Sequence, residues 1–151
     1  MTTAEISDDE WMAWRSYRRL AEVITGRIVR DINDATGLSG PDFMILMALS
    51  KNPHGALLQR DLLEYLEWDK SRLSHQLSRM ASRELVQRSR THFAGISVSI
   101  TQAGYQLLAK ARPVHMESVR RNFLDKLTPE DVHALIAITG RLRQSDSGVI
   151  E

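Results

Sequence analysis

Between Asp69 and Thr101 the chain changes hydrophobic period once, from the three-and-four spacing of a helix to the alternation of a strand, and carries a single acid after its first residue. Few folds allow that switch. Asp69 fits an N-cap, its carboxylate placed to accept the free amide of Arg72, and opens a helix that runs to about Arg83. At about 100° per residue, Leu73, Leu77, Met80 and Ala81 form one narrow apolar stripe. Ser71, Arg72, His75, Ser78, Arg79 and Ser82 occupy the opposite arc, which holds no carboxylate. An ordinary exposed face mixes signs, and this one does not. Leu85 to Arg90 and Ile96 to Thr101 then read as two strands joined by a hairpin loop from Thr91 to Gly95. Ile96, Val98 and Ile100 face one way, Ser97, Ser99 and Thr101 the other.

The charge distribution points the same way. Residues 70–121 hold ten Lys/Arg and two Asp/Glu, residues 1–69 seven and twelve, and residues 122–151 three and five. A net charge of +1 therefore conceals a basic middle between acidic ends, the distribution of a fold that turns one face to an anion. At 151 residues one domain is expected, too small for separate cofactor and substrate modules. The absence of cysteine excludes disulfides, thiolate metal sites and cysteine nucleophiles. The stretch MTTAEISDDEW is acidic where a secretory signal is basic and then apolar, and no apolar run approaches the ~18 residues of a membrane span. A soluble cytoplasmic protein with no membrane partner is the expectation. The phosphate-loop spacing, the serine nucleophile elbow and the zinc helix motif are all missing, and the five histidines form no i, i+4 pair. Neither catalytic residues nor a metal site nor a cofactor is expected, and the chain does not read as an enzyme.

Around this centre the pattern is helical. Ser7 and Glu10 have the spacing of a capping box, and behind them Trp11, Trp14, Arg18, Ala21, Ile24, Ile28 and Ile32 mark one amphipathic helix as far as Gly37. Its roughly 28 residues make a rod of about 42 Å, longer than one small domain needs, so part of its apolar face is expected to pack on another chain. Ser39, Gly40, Pro41 and Asp42 open a second helix that gives Phe43, Leu46, Met47 and Leu49 to the core. Leu57 and Leu58 amount to no more than a strand fragment. A third helix from Gln59 to Leu66 buries Leu62, Leu63 and Leu66 before the turn Glu67, Trp68, Asp69. From Gln102 a long helical pattern runs through Tyr105, Leu108, Met116, Phe123 and Leu127, and Pro113 is expected to break or kink it. Thr128 to Asp131 cap a last helix with Val132, Leu135, Ile136, Ile138 and Leu142 inside it, and a frayed end is expected from about Ser145.

Two short helices joined by a three-residue turn, the second polar and acid-free outside, make a helix-turn-helix whose second helix belongs in the major groove of double-stranded DNA. The basic hairpin makes it a winged variant. Arg72 and Arg79 can each give two hydrogen bonds to a guanine, and the serines and His75 offer shorter donors and acceptors. Lys70 and the amides at the helix start suit phosphate. On the wing, Arg88, Arg90 and His92 are placed to enter a minor groove or to hold phosphate.

The segments LSGPDFMILMALS, WDKSRLSHQLSRM, ELVQRS and SITQAG follow one another in the order and spacing of the MarR family of bacterial winged helix-turn-helix regulators. The chain resembles that family across nearly its whole length, and actinobacterial members most of all. The resemblance implies a mainly α fold: a winged helix-turn-helix over residues 39–101 with a two-stranded β wing, and a helical dimerisation domain built from N- and C-terminal helices, residues 7–36 and 102–145. It further implies a homodimer on a near-palindromic operator, repressing until a small, often aromatic or phenolic, ligand shifts the reading heads. Ser71, Arg72, Ser74, His75, Ser78 and Arg79 are carried over as recognition-helix positions. The chain departs from the family at two places. His92 and Ala94 stand where the wing usually has aspartate and arginine, and Glu84 stands where a left-handed glycine usually follows the recognition helix. A second reading follows from the departures, a diverged member with weakened or lost DNA binding that acts as a protein-interaction dimer.

Overall fold

The computed structural model describes residues 5–144, so the frayed end expected from Ser145 lies outside the described residues. The element order is α1 (Asp8–Thr36), α2 (Gly40–Ser50), β1 (Ala56–Leu58), α3 (Gln59–Leu66), α4 (Lys70–Ser82), β2 (Val86–Thr91), β3 (Gly95–Ile100), α5 (Gln102–Asn122), a 3-10 turn (Leu124–Lys126) and α6 (Pro129–Gln144). Helix starts are chemically explicit. Ser7 with Glu10 and Ser39 with Asp42 form reciprocal capping boxes, and Thr128 with Asp131 repeats the arrangement. The backbone amide of Ser7 and then its hydroxyl hold the Glu10 carboxyl below the usual carboxylate range, and Thr128 does the same for Asp131.

The core lies where α2 is enclosed on nearly every side, with Phe43, Ile45, Leu46, Ala48 and Leu49 all buried. Leu62 from α3, Leu73, Leu77 and Met80 from α4, Val98 and Ile100 from β3 and Leu108 from α5 complete it. Leu63 is only half-buried. Each large apolar side chain removed from water there contributes about 1.5–3 kcal/mol, enough to hold eight-residue α3, which is too short to be stable alone. His115 of α5 lies against Phe43 with ring centroids 4.9 Å apart, and burial pushes its pKa down.

The fold class is the expected one, mainly helical with a small antiparallel sheet, but three details differ. The fragment at Leu57 and Leu58 is a true third strand: β1 pairs with β3 in the register Ala56 to Ser99 and Leu58 to Ser97, giving the sheet order β1-β3-β2. Pro113 does not break α5, which is continuous from Gln102 to Asn122. Proline cannot donate to the Ala109 carbonyl, yet both residues lie on the exposed side, where water can take the lost bond. The helical pattern also stops earlier than expected, at Asn122, with Leu124–Lys126 forming the tight turn.

The start of α5 explains the glycine of the SITQAG segment. Thr101 accepts the Gly104 amide at 3.0 Å as N-cap and donates to the Glu84 carbonyl at 2.6 Å, drawing α5 onto the end of α4. A Cβ at Gly104 would lie 2.4 Å from the Leu85 carbonyl oxygen, so only glycine fits. Farther along, Asp31 of α1 accepts from the buried Ser118 hydroxyl and from Arg121 at 2.7 Å, joining α1 to α5.

The ends of the chain are different. Trp11, Met12, Trp14, Tyr17 and Leu20 on α1 and Leu135, Ile136, Ile138 and Leu142 on α6 are exposed. Among the described residues no other element packs closely on α6.

Candidate nucleic-acid interface

Both ends of α4 are fixed by backbone chemistry. Before it, Glu67 takes a left-handed conformation, φ 53°, while the amides of Glu67 and Trp68 return to the carbonyls of Glu64 and Leu63. After it, Glu84 is left-handed at φ 58°, and the amides of Glu84 and Leu85 return to Ala81 and Met80. These are paired helix-terminating turns in which glycine would be the unstrained residue. Asp69 caps the helix by accepting the Arg72 amide at 2.8 Å, as its position in the sequence predicts.

Leu73, Leu77 and Met80 are fully buried, so the opposite arc must face outward. Ser71, Arg72, His75, Ser78, Arg79 and Ser82 are exposed, and Ser74 is half-buried. Lys70, Ser71, Ser74, His75 and Ser78 line one shallow depression, bringing five of the predicted residues together. The Arg72 guanidinium sits 4.0 Å from the centre of the Trp68 ring, a cation–π contact that holds it at the helix start.

A polar network behind this face was not visible from spacing. Asp42, only 1% exposed, accepts the Ser39 amide at 2.9 Å, Gln76 Nε2 at 2.7 Å and Arg83 Nη1 at 2.7 Å. Arg83 also reaches the Gly37 carbonyl at 3.2 Å. A carboxylate only accepts, so it forces the Gln76 amide nitrogen toward itself and leaves Oε1 to receive Arg79. The chain of bonds thus runs from the cap of α2 to a guanidinium on the outer face. Gln76 stands beside the apolar stripe of α4, and its burial is the only local sign of this role.

The wing follows directly. Arg88 on β2 donates to Ser78 Oγ at 3.0 Å, tying hairpin and helix together. Arg90 extends along the same strand face, and among the described residues none bonds to its side chain. Both strands lie one residue nearer the tip than predicted, without Leu85 and Thr101, pairing Thr91 with Gly95 and leaving His92, Phe93 and Ala94 as the loop. His92 is exposed at the tip. Glu84 places its acid beside the end of α4 in the left-handed conformation that the family's glycine would occupy.

For an L-residue that conformation costs about 1–2 kcal/mol. Glu84→Gly is expected to raise stability by about 1 kcal/mol, part of the relief being offset by greater freedom of the unfolded chain, which corresponds to roughly 2–4 °C in Tm. A thermal melt checks it. An unchanged or lower Tm would show that the turn is unstrained.

A helix-turn-helix with a hairpin tied to its second helix defines a winged helix DNA-binding protein. A family model described as MarR family matches residues 36–92. AbsC, a MarR family transcriptional regulator from Streptomyces coelicolor, superposes with a TM-score of 0.90 at 32% identity, covering 97% of this chain and 100% of that one. Sco3205 from the same organism, a MarR family regulator solved in complex with DNA, gives 0.89 at 26% identity over 95% and 91% of the two chains. BpsR from Bordetella bronchiseptica, in a structure concerned with regulation of its DNA binding by 6-hydroxynicotinic acid, shares the fold at a TM-score of 0.78 and 18% identity over 93% and 98%. A search of curated proteins gives no match. The chain belongs to the MarR family of transcriptional regulators.

Among the described residues no group of three His, Asp or Glu side chains could hold a metal ion, and no helix is long and apolar enough to cross a membrane.

Proposed function

We propose that this regulator is a cytoplasmic homodimer that binds a near-palindromic operator in double-stranded DNA and represses transcription until a small ligand binds. The observation that carries the reading is the outer face of α4, exposed, acid-free and lined by cations and hydroxyls. Residues 39–101 form the DNA-binding region, and residues 7–36 and 102–145 the dimerisation region. Arg72 and Arg79 read guanine, Ser71, Ser74, His75 and Ser78 read neighbouring base edges, and Lys70, Arg88, Arg90 and His92 hold the backbone or a minor groove. Arg88 acts partly by positioning Ser78. The uncovered apolar side chains of α1 and α6 support a second copy as their partner, with the two α4 helices set about 34 Å apart, one helical turn of DNA. The effector is a small aromatic or phenolic molecule. Tyr17, Leu20, Ile24, Phe123 and Leu135 line an apolar cleft between α1 and the segment around α6 that suits such a ring. Nothing in this reading requires enzymatic turnover.

Fluorescence anisotropy with DNA from its own promoter at several salt concentrations tests the reading. A specific duplex should bind far more tightly than a scrambled one, with affinity falling steeply as salt rises. Arg72→Ala should cost roughly 1–3 kcal/mol on the specific duplex, whereas Arg90→Ala should weaken all duplexes alike. A folded dimer with no preference over scrambled DNA would favour the protein-interaction reading instead.

A further inference from the structure

We propose that Phe93 is an apolar wedge that enters the minor groove beside the site read by α4 and partly unstacks one base step there, a proposal that rests on α4 being the DNA-reading helix. Phe93 is 103% exposed, so none of the described residues covers the ring. The loop around it is built rather than slack. Thr91 Oγ1 donates to the Gly95 carbonyl at 2.8 Å and accepts the Ala94 amide at 3.1 Å, while Gly95 takes a left-handed φ of 94°. Thr91 and Gly95 pair across the base of the three-residue loop, and these bonds hold Phe93 outward.

The hairpin's position relative to α4 is also fixed, by the bond from Arg88 to Ser78. Phe93 lies five residues beyond Arg88, at most about 16 Å at ~3.3 Å per residue, within half of a ~34 Å helical turn. A tip at that distance meets the minor groove adjacent to the major groove that α4 occupies. Charge selects DNA over an apolar protein patch as the occupant: from Leu85 to Thr101 the hairpin has Arg88 and Arg90 and no acid. His92, its ring 6.3 Å from that of Phe93, can donate to the acceptors that line a minor groove.

An inserted phenyl ring separates bases at least cost at flexible pyrimidine–purine steps such as TA or CA. The wing then reads deformability, where the usual arginine would read groove width and charge. Selection supplies the probe without a known operator. Random duplexes are enriched with the full-length protein, and the winners are remade with 2-aminopurine at the flanking step. Wild type should enrich a flexible step about half a turn from the α4 contacts, and binding should raise the 2-aminopurine fluorescence. Phe93→Ala should bind the selected duplexes about tenfold more weakly or worse, lose the flanking preference and the fluorescence rise, and keep the salt dependence. Phe93→Trp should keep the flanking preference. If wild type enriches a sequence and Phe93→Ala enriches the same one with equal affinity, the wedge is overturned and the α4 reading stands. Should Phe93→Ala leave affinity intact but alter the sedimenting mass, the ring belongs to a contact between copies, and the wedge is again overturned. If wild type enriches nothing, the α4 reading fails and the wedge falls with it.

Discussion

Ile136→Asp combined with Leu142→Asp will yield a particle of one chain, 17.2 kDa, in place of the proposed dimer. These side chains are 66% and 67% exposed, and no other described element packs closely on α6, so within a single chain the substitutions remove almost nothing. Across a dimer seam they place two carboxylates per chain in an apolar contact, where an unpaired charge is costly. The second effect is larger. Two α4 helices linked in one body bind two half-sites with high effective concentration, so separating them should weaken binding to a two-half-site duplex by roughly 10²- to 10⁴-fold, while a single half-site binds as before. Sedimentation together with anisotropy on one- and two-half-site duplexes checks both parts. A variant that keeps twice the chain mass and full affinity would place the seam elsewhere.

Asp42→Ala will strike stability and DNA reading together. The substitution removes the return half of the α2 capping box, the bond from the Ser39 amide, leaves the buried Gln76 amide without its acceptor and frees Arg83 from its carboxylate. The lost half of the capping box costs up to about 1 kcal/mol and an unsatisfied buried donor about 1–3, so a total of about 3 kcal/mol is expected, roughly 6–12 °C in Tm. At temperatures where the variant is still folded, Gln76 is no longer forced to present Oε1 to Arg79. Specific affinity should therefore fall more than affinity for scrambled DNA. Thermal melts and paired anisotropy titrations separate the two effects. Equal losses on both duplexes would make Asp42 a support of the fold alone.

Local patterns were legible wherever a side chain acts on its own backbone. The caps at Ser7, Ser39, Asp69 and Thr128 and the apolar stripe of α4 needed only near neighbours in the chain, as did the alternation of β3. Glu84 was placed in a left-handed turn by its resemblance to a glycine position, and the turn is there. Asp42 reads only as a helix opener because its tie to Gln76 spans 34 residues and leaves no periodic trace. Three residues carry almost no pattern, so β1 reads as a mere fragment, and its pairing with β3 supplies what its own sequence lacks. No break occurs at Pro113, because the cost of its missing amide depends on whether water reaches the orphaned carbonyl, which only tertiary placement decides. Phe93 gives no sequence signal for a similar reason: a lone aromatic in a loop acquires meaning from the direction in which the loop holds it.

α1 is a lever as well as a strut. Its 29 residues form one uninterrupted helix, anchored to α5 near Asp31 and bare at the end that carries Trp11 and Trp14. From Trp11 to Ile32 the arm is about 32 Å at ~1.5 Å per residue, so tilting it by about 5° carries its far end by about 3 Å. That travel is nearly the ~3.4 Å spacing of adjacent bases along a strand. In the proposed dimer, joined at the bare end, a wedge of a few degrees would be geared up into nearly a full step of misregister at the DNA, and a ligand far smaller than the protein would suffice to disengage it.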